Sequence, residues 1–301
     1  MKKLAILYSN FISKGIYNIF LIDYLKKYFK IQEIQIGFSN INELYKFDIV
    51  IPVDVISQQI FNSMPISKLQ SKNKFIYTLF DNKLKCYNLL KKYKQVYHIP
   101  TYTNLKIIED YPCYKYICKD PLGCMSICQK IVTKKELTKM NIGNWIIQPY
   151  FENYKIYSLD VLAKDGIIIS TLYTDIHNKC LDSVFSYLTS YVETSVMEIP
   201  NCINLFCNQV IYDFKYSGFI EFEFLFANNK YYFMEINPRL CGHISQLDKN
   251  SGSIFFNKII VPYLKLYGYD VPKHNLIKNN KIYSGSNIWQ SAKYTLKKYL
   301  G

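Results

Sequence analysis

Two β-like runs, Gly218-Phe-Ile-Glu-Phe-Glu-Phe-Leu-Phe226 and Tyr231-Tyr-Phe-Met-Glu-Ile-Asn237, flank a short polar stretch and read as an antiparallel hairpin. A three-residue turn, Asn228-Asn229-Lys230, sets Ala227 opposite Tyr231, Leu225 opposite Phe233 and Glu223 opposite Glu235. Strand side chains alternate between the two faces of a sheet. Glu221, Glu223 and Leu225 therefore share one face with Phe233, Glu235 and Asn237. The opposite face is apolar throughout: Ile220, Phe222, Phe224, Phe226, Tyr232, Met234 and Ile236.

This register puts two carboxylates directly across from each other. Like charges in that position destabilise a hairpin by roughly 0.2–1 kcal/mol, and a bound cation reverses the sign. Two carboxylates and the Asn237 amide oxygen are hard ligands, suited to Mg²⁺ shared with substrate phosphates. An exposed strand whose glutamates pair with lysines is the bland alternative. It accounts for one Glu, but not for Glu, Asn and Arg converging. The Arg is Arg239, the only arginine of a chain whose Lys and Arg total 37. Its planar fork grips phosphate or carboxylate through two parallel hydrogen bonds, which an ammonium cannot do. Two residues past Asn237, it points at the same site.

A length of 301 residues suggests about two domains, and 50% hydrophobic with 20% charged residues fits a globular chain. No apolar run approaches the ~18 residues of a membrane span. The opening Met-Lys-Lys-Leu-Ala-Ile-Leu-Tyr reads as a buried strand, because its apolar run is short and no small-residue cleavage site follows. Net charge is +14, but Lys is spread along the chain and Arg, the preferred base reader, is nearly absent. Specific nucleic-acid binding is therefore not expected, and acidic substrates are favoured. Nine cysteines without a secretory signal imply free thiols in a reducing cytoplasm. Cys113, Cys118, Cys124 and Cys128 cluster, but their spacings fit no common zinc pattern.

The first 80 residues alternate in the α/β manner. Strands are predicted over Leu4 to Ser9, Ile31 to Phe38, Asp48 to Val53 and Lys74 to Phe80, with helical periodicity over Tyr17 to Phe29. Such alternation implies a parallel sheet with ligand loops at the strands' carboxyl ends. Beyond it come a helix from Lys83 to Tyr93 and strands over Tyr114 to Lys119, Ile127 to Val132 and Trp145 to Tyr150. Tyr157 to Ala163 turns at Asp165-Gly166 into Ile167 to Leu172. Helices are predicted over Asn204 to Tyr216 and Ile254 to Tyr267.

Glu-Phe-Leu-Phe followed by Tyr-Phe-Met-Glu-Ile-Asn-Pro-Arg resembles the metal-binding hairpin of the ATP-grasp superfamily, especially its biotin carboxylase and carbamoyl phosphate synthetase branch. The resemblance implies that Glu223, Glu235 and Asn237 hold Mg²⁺, with Mn²⁺ as an alternative, on ATP, and that Arg239 contacts the reacting carboxylate or phosphoryl group. Lys119-Asp-Pro-Leu-Gly123-Cys-Met-Ser126 is similar to the strand and glycine loop that approach the phosphates, which implicates Lys119 and Ser126. The loop is glycine-poor, with Cys128 where a second glycine is usual. Asp81-Asn82-Lys83 resembles the earlier phosphate-binding lysine element, with Lys85 as a rival to Lys83. Ile146-Ile147-Gln148-Pro149-Tyr150 looks like the adenine-binding hinge, with Gln148 in contact. Ile117 and Leu225 would sandwich the base. The usual ribose-binding acid has no clear match, Glu152, Lys155 and Ile156 lying nearest. His243 falls in a continuation of the motif, with a positioning or structural role.

The fold implied is α/β, turning to α+β in the C-terminal part. Residues 1–80 would form a Rossmann-like pre-ATP-grasp domain, 81–148 the ATP-grasp N-lobe with the Lys/Gly loop, and 149–301 the C-lobe with the metal-binding hairpin. The activity implied is a cytoplasmic carboxylate–amine ligase, working through an acyl phosphate on small, amino-acid-like substrates, with a homodimer allowed. An ATP-binding module without catalysis and a basic nucleic-acid-binding protein are the rival classes.

Overall fold

The computed structural model describes residues 1–9, 25–37, 41–71, 73, 75–122, 129–176, 194–240 and 249–272. Strands Lys2–Tyr8 (β1), Phe29–Gln35 (β2) and Ile49–Pro52 (β3) form a parallel sheet in the order β2-β1-β3. Within β1 the side chains of Leu4 to Tyr8 are all buried, as a central parallel strand covered on both faces requires. Ala5 and Leu7 pack with Val50 and Phe61, and Leu4 and Ile6 with Ile49 and Ile51.

Helix Val55–Phe61 (α1) follows β3 and is capped by Asp54, whose side chain accepts from the Ser57 amide at 2.8 Å. The strand expected over Lys74 to Phe80 is instead a helix, Ile76–Asp81 (α2). Ile76, Tyr77 and Phe80 fall on one helical face and are fully buried there, and the Tyr77 hydroxyl donates to Ser217 O at 2.5 Å. Tertiary contacts override the β-propensity of a short apolar run. Helix Lys83–Leu90 (α3) begins at Asn82, which caps it by accepting from the Lys85 amide at 3.0 Å.

Next come Tyr97–His98 (β4), Ile107–Asp110 (α4), Lys115–Lys119 (β5), Gln129–Thr133 (β6), Lys134–Leu137 (α5) and Ile146–Pro149 (β7). A small antiparallel sheet, β6-β5-β7, buries Tyr116, Cys118 and Ile147 against Ile107 and Leu137. The remaining strands, Lys155–Lys164 (β8), Ile167–Ile176 (β9), Thr194–Val196 (β10), Gly218–Ala227 (β11) and Lys230–Asn237 (β12), join β4 in a six-stranded sheet ordered β10-β9-β8-β11-β12-β4. Helix Asn201–Asp213 (α6) covers one face of it, where Phe206 meets the rings of Phe222, Phe224 and Phe233. Each such ring contributes roughly 1.5–3 kcal/mol when fully buried. Lys249–Phe255 (α7), a π-helical turn at Phe256–Ile260 and Val261–Leu266 (α8) follow one another directly. Phe255, Ile259 and Tyr263 tie β1 and β3 to Leu162, Leu172 and Phe219 of the large sheet in one core.

Among the described residues no helix is long and apolar enough to cross a membrane. Cys86, Cys113, Cys118, Cys202 and Cys207 are free thiols. Cys124, Cys128 and residues 17–24 of the helix expected over Tyr17 to Phe29 lie outside the described residues, and Phe29 itself opens β2 rather than ending a helix.

Candidate active site

The hairpin brings Glu223 opposite Glu235 and Glu221 opposite Asn237, but by another route than the expected turn. Asn228 and Asn229 both take left-handed φ, 51° and 57°, and form a two-residue turn in which Ala227 pairs with Lys230. The register then shifts between Glu223 and Phe224, leaving Met234 as an extra residue in β12. The shorter turn and the bulge cancel, so the facing carboxylates survive. Three residues change faces as a result. Phe233 pairs with Phe224 and belongs to the apolar core, whereas Tyr232 and Met234 pack with Leu225 on the site side.

Lys83, Asn237 and Arg239 gather around the two glutamates. Lys83, at the first turn of α3, places Nζ 3.2 Å from Glu235 Oε2. Lys85, its rival, is exposed. Asn237 Nδ2 donates to Glu223 Oε1 at 2.8 Å and to Glu221 Oε2 at 3.1 Å. Arg239 donates through Nη1 to Leu240 O at 2.8 Å and through Nη2 to Asn237 Oδ1 at 3.3 Å, with Nη1 also 4.0 Å from Glu221 Oε2. Lys119 and Ile117 share the less buried face of β5, and Gln148 pairs with Ile117 across the strand. Leu225 is buried with Ile99 and Ala227 beside Phe151, Tyr154, Tyr232 and Met234. Ser126 and His243 lie outside the described residues.

The electrostatics divide the two facing carboxylates. Burial, with Glu235 and Glu221 nearby, pushes Glu223 well above the usual carboxylate range. Burial also works against ionisation of Glu235, but the Lys83 and Lys119 ammoniums outweigh it and hold Glu235 below that range. Lys83 is raised despite its burial, by Glu235, Glu223 and Asp81. Burial lowers Lys119 against the pull of Glu235, so a lysine of the small sheet feels a carboxylate of the large one. Asp81 is pushed up by burial, partly offset by Arg239 and Lys83.

Ser158 and Asp160 join this constellation without having been expected there. Glu221 is tied to Ser158 Oγ at 2.9 Å, and Asp160 sits opposite Glu221 on β8. Their signal lay in the alternation of Ser158 and Asp160 on one strand face, legible only once β8 is known to neighbour β11. Glu152, the candidate for ribose, is exposed and pairs with Lys115 at 3.2 Å, while Lys155 is exposed and Ile156 buried.

Among the described residues no three His, Cys, Asp or Glu side chains form a metal cage of their own. The donors present are two facing carboxylates and an amide. That set fits Mg²⁺ arriving on a nucleotide, because Mg²⁺ is usually held by one or two carboxylates, water and substrate phosphates.

A family model described as an ATP-grasp domain matches residues 80–243, more than half of the chain. Among solved structures, the D-alanine–D-alanine ligase of Bacillus anthracis complexed with ATP is 15% identical, with a TM-score of 0.59 over 89% of this chain and 99% of that one. A biotin carboxylase from Campylobacter jejuni is 16% identical, with a TM-score of 0.55 over 89% of this chain and 72% of its own. The N5-carboxyaminoimidazole ribonucleotide synthetase of Thermotoga maritima is 14% identical, with a TM-score of 0.53 over 92% and 78%. At these identities the likeness is one of fold. No curated protein matches the chain by sequence.

Proposed function

Because the chain belongs to the ATP-grasp family, we propose that it is a Mg·ATP-dependent carboxylate–amine ligase acting on small, amino-acid-like molecules. The observation that carries this reading is the meeting of Glu223, Glu235, Asn237, Lys83 and Arg239 on one face of the large sheet. On this reading residues 1–80 form a Rossmann-like domain, 81–148 the N-lobe and 149–301 the C-lobe.

The reaction has two stages. The substrate carboxylate takes the γ-phosphoryl group of ATP, giving an acyl phosphate and ADP. The amine then forms the C–N bond as phosphate leaves, and the amine gives up a proton. Bound by Glu223, Glu235 and Asn237, Mg²⁺ would neutralise charge on the β- and γ-phosphate oxygens. Lys83 and Lys119, both within the field of Glu235, would offset charge on the phosphate oxygens. Arg239 holds the anionic group that accepts the phosphoryl, and Ile117 and Leu225 enclose the base beside Gln148. Catalysis on this scheme is positioning and charge neutralisation in a site that excludes water, with little acid–base work asked of the protein.

The test is phosphate release from Mg·ATP, screened over pairs of carboxylates and amines. Turnover should appear with some pair and fall at least roughly 10²–10³-fold in Glu235→Gln, the scale of losing a preorganised charge partner. Circular dichroism should show the variant folded. Wild-type turnover in Glu235→Gln would sink the metal-site assignment.

A further inference from the structure

Glu221 has no part in the scheme above, yet it is only 2% exposed in the middle of the site. Its oxygens are divided between neighbours. Oε1 accepts from Ser158 Oγ at 2.9 Å, and Oε2 accepts from Asn237 Nδ2 at 3.1 Å, 4.0 Å from Arg239 Nη1. The other Asn237 donor goes to Glu223 Oε1 at 2.8 Å. An amide nitrogen has two hydrogens, and both are directed to carboxylates. The amide oxygen is therefore turned away from them, to where Arg239 Nη2 meets it at 3.3 Å.

That orientation matters because an asparagine amide rotates between two nearly equivalent positions. The wrong one would offer a nitrogen where a hard cation requires oxygen. It would also set the amide oxygen against two carboxylates, which opposes the rotation. Glu223 cannot keep up this opposition alone, because a cation on its carboxylate competes for the same oxygen. Glu221 can, because its oxygens are turned to Ser158, Asn237 and Arg239.

We propose that Glu221 is a positioning residue: it fixes the Asn237 amide in the orientation seen here, with the oxygen left clear of both carboxylates, and sets the resting place of Arg239, without itself ligating the metal. The inference rests on the metal-site reading above, and its test separates the two. The probe is Mn²⁺, whose free fraction is read by electron paramagnetic resonance with ADP saturating. Residues that orient metal ligands typically account for 10–100-fold in metal affinity, so Glu221→Leu should weaken Mn²⁺ binding by about that factor. ADP affinity without metal should not change. Glu221→Gln keeps an acceptor for Asn237 and a donor for Ser158, and should stay close to wild type.

Wild-type Mn²⁺ affinity in Glu221→Leu would overturn the proposal. So would a loss in Glu221→Gln as large as in Glu221→Leu, which would mark the carboxylate as a ligand. If Glu221→Leu does not fold, Ser158→Ala removes the brace on Oε1; a smaller loss of Mn²⁺ affinity supports the proposal and none overturns it. Glu235→Gln is the control. Undiminished Mn²⁺·ADP binding there would defeat the metal site itself, whatever Glu221 does.

Discussion

Among the described residues Arg239 meets acceptors in different directions, Leu240 O, Asn237 Oδ1 and the Glu221 carboxylate. A planar guanidinium with five donors can span that fan, and a single ammonium on a flexible stem cannot. The geometry accounts for one arginine in a chain that otherwise uses lysine. Gln148 is defined just as closely by its neighbours. Thr101 Oγ1 donates to Ile99 O at 2.9 Å and therefore accepts from Gln148 Nε2, also at 2.9 Å. Gln148 Oε1 is buried and has no hydrogen-bond partner among the described residues, a costly state that a donor on a ligand would relieve. The 6-amino group of adenine is such a donor, and guanine has a carbonyl there instead. Gln148→Leu should weaken ATP binding by roughly tenfold, the scale of one net hydrogen bond, and leave GTP binding unchanged by calorimetric titration. Equal losses for both nucleotides would show that Gln148 does not read the base.

At the scale of elements, the two-residue turn and the extra Met234 offset each other and keep Glu223 opposite Glu235. Glu223 opposite Glu235 was legible from alternation, and so was the site face that holds them with Asn237. The turn was not, because Asn228-Asn229 closes a hairpin with either two or three residues and only the strand twist selects the two-residue form. The Met234 bulge was also illegible: an extra residue leaves no mark in a run where Tyr232, Phe233 and Met234 are all apolar. Asn228 carries the consequence. Its φ of 51° is tolerated by Asn but not by a β-branched residue, so Asn228→Val should cost about 1–2 kcal/mol in urea unfolding. A change within 0.3 kcal/mol, the scatter expected of independent sites, would show that the turn is not so strained. Helix α2 failed in the same way as the turn, since Ile76, Tyr77 and Phe80 look like a strand until Asn62 and Ser217 are beside them.

For the whole molecule, the hairpin is set against the parallel sheet by one side chain of α1. Gln58 Nε2 lies 2.7 Å from Phe219 O, 2.8 Å from Pro238 O and 2.9 Å from Tyr216 Oη, three acceptors that share its two hydrogens, while Oε1 accepts from the Phe219 amide at 2.8 Å. It thereby grips β11 at its start and β12 at its end, next to Arg239. Gly218 must lack a side chain for this to work, because a Cβ there would come within 2.9 Å of the Gln58 amide carbon. Replacing Gln58 by Leu leaves at least Phe219 N and Pro238 O buried without this partner. The expected loss is about 2–6 kcal/mol by urea denaturation, at roughly 1–3 kcal/mol for each of these two orphaned groups. A loss below about 1 kcal/mol, no more than one ordinary hydrogen bond, would mean that the layers do not depend on the clamp.

The sequence by itself determined the chemistry of the hairpin: which oxygens and which guanidinium share a face, the pattern on which the proposed cation and phosphate site rests. Period-2 alternation is a local property of the backbone, so it can be read without knowing the fold. Only the tertiary structure decided that Lys83 rather than Lys85 reaches Glu235, that Lys119 of the small sheet feels the same carboxylate, and that Glu221, Ser158 and Gln58 brace Asn237 and the strands around it. Those partners are brought together by strand order and helix packing across long stretches of chain. A linear pattern carries no distance between residues 83 and 235, and the burial that sets Glu223 and Glu235 apart arises only when the layers close over them.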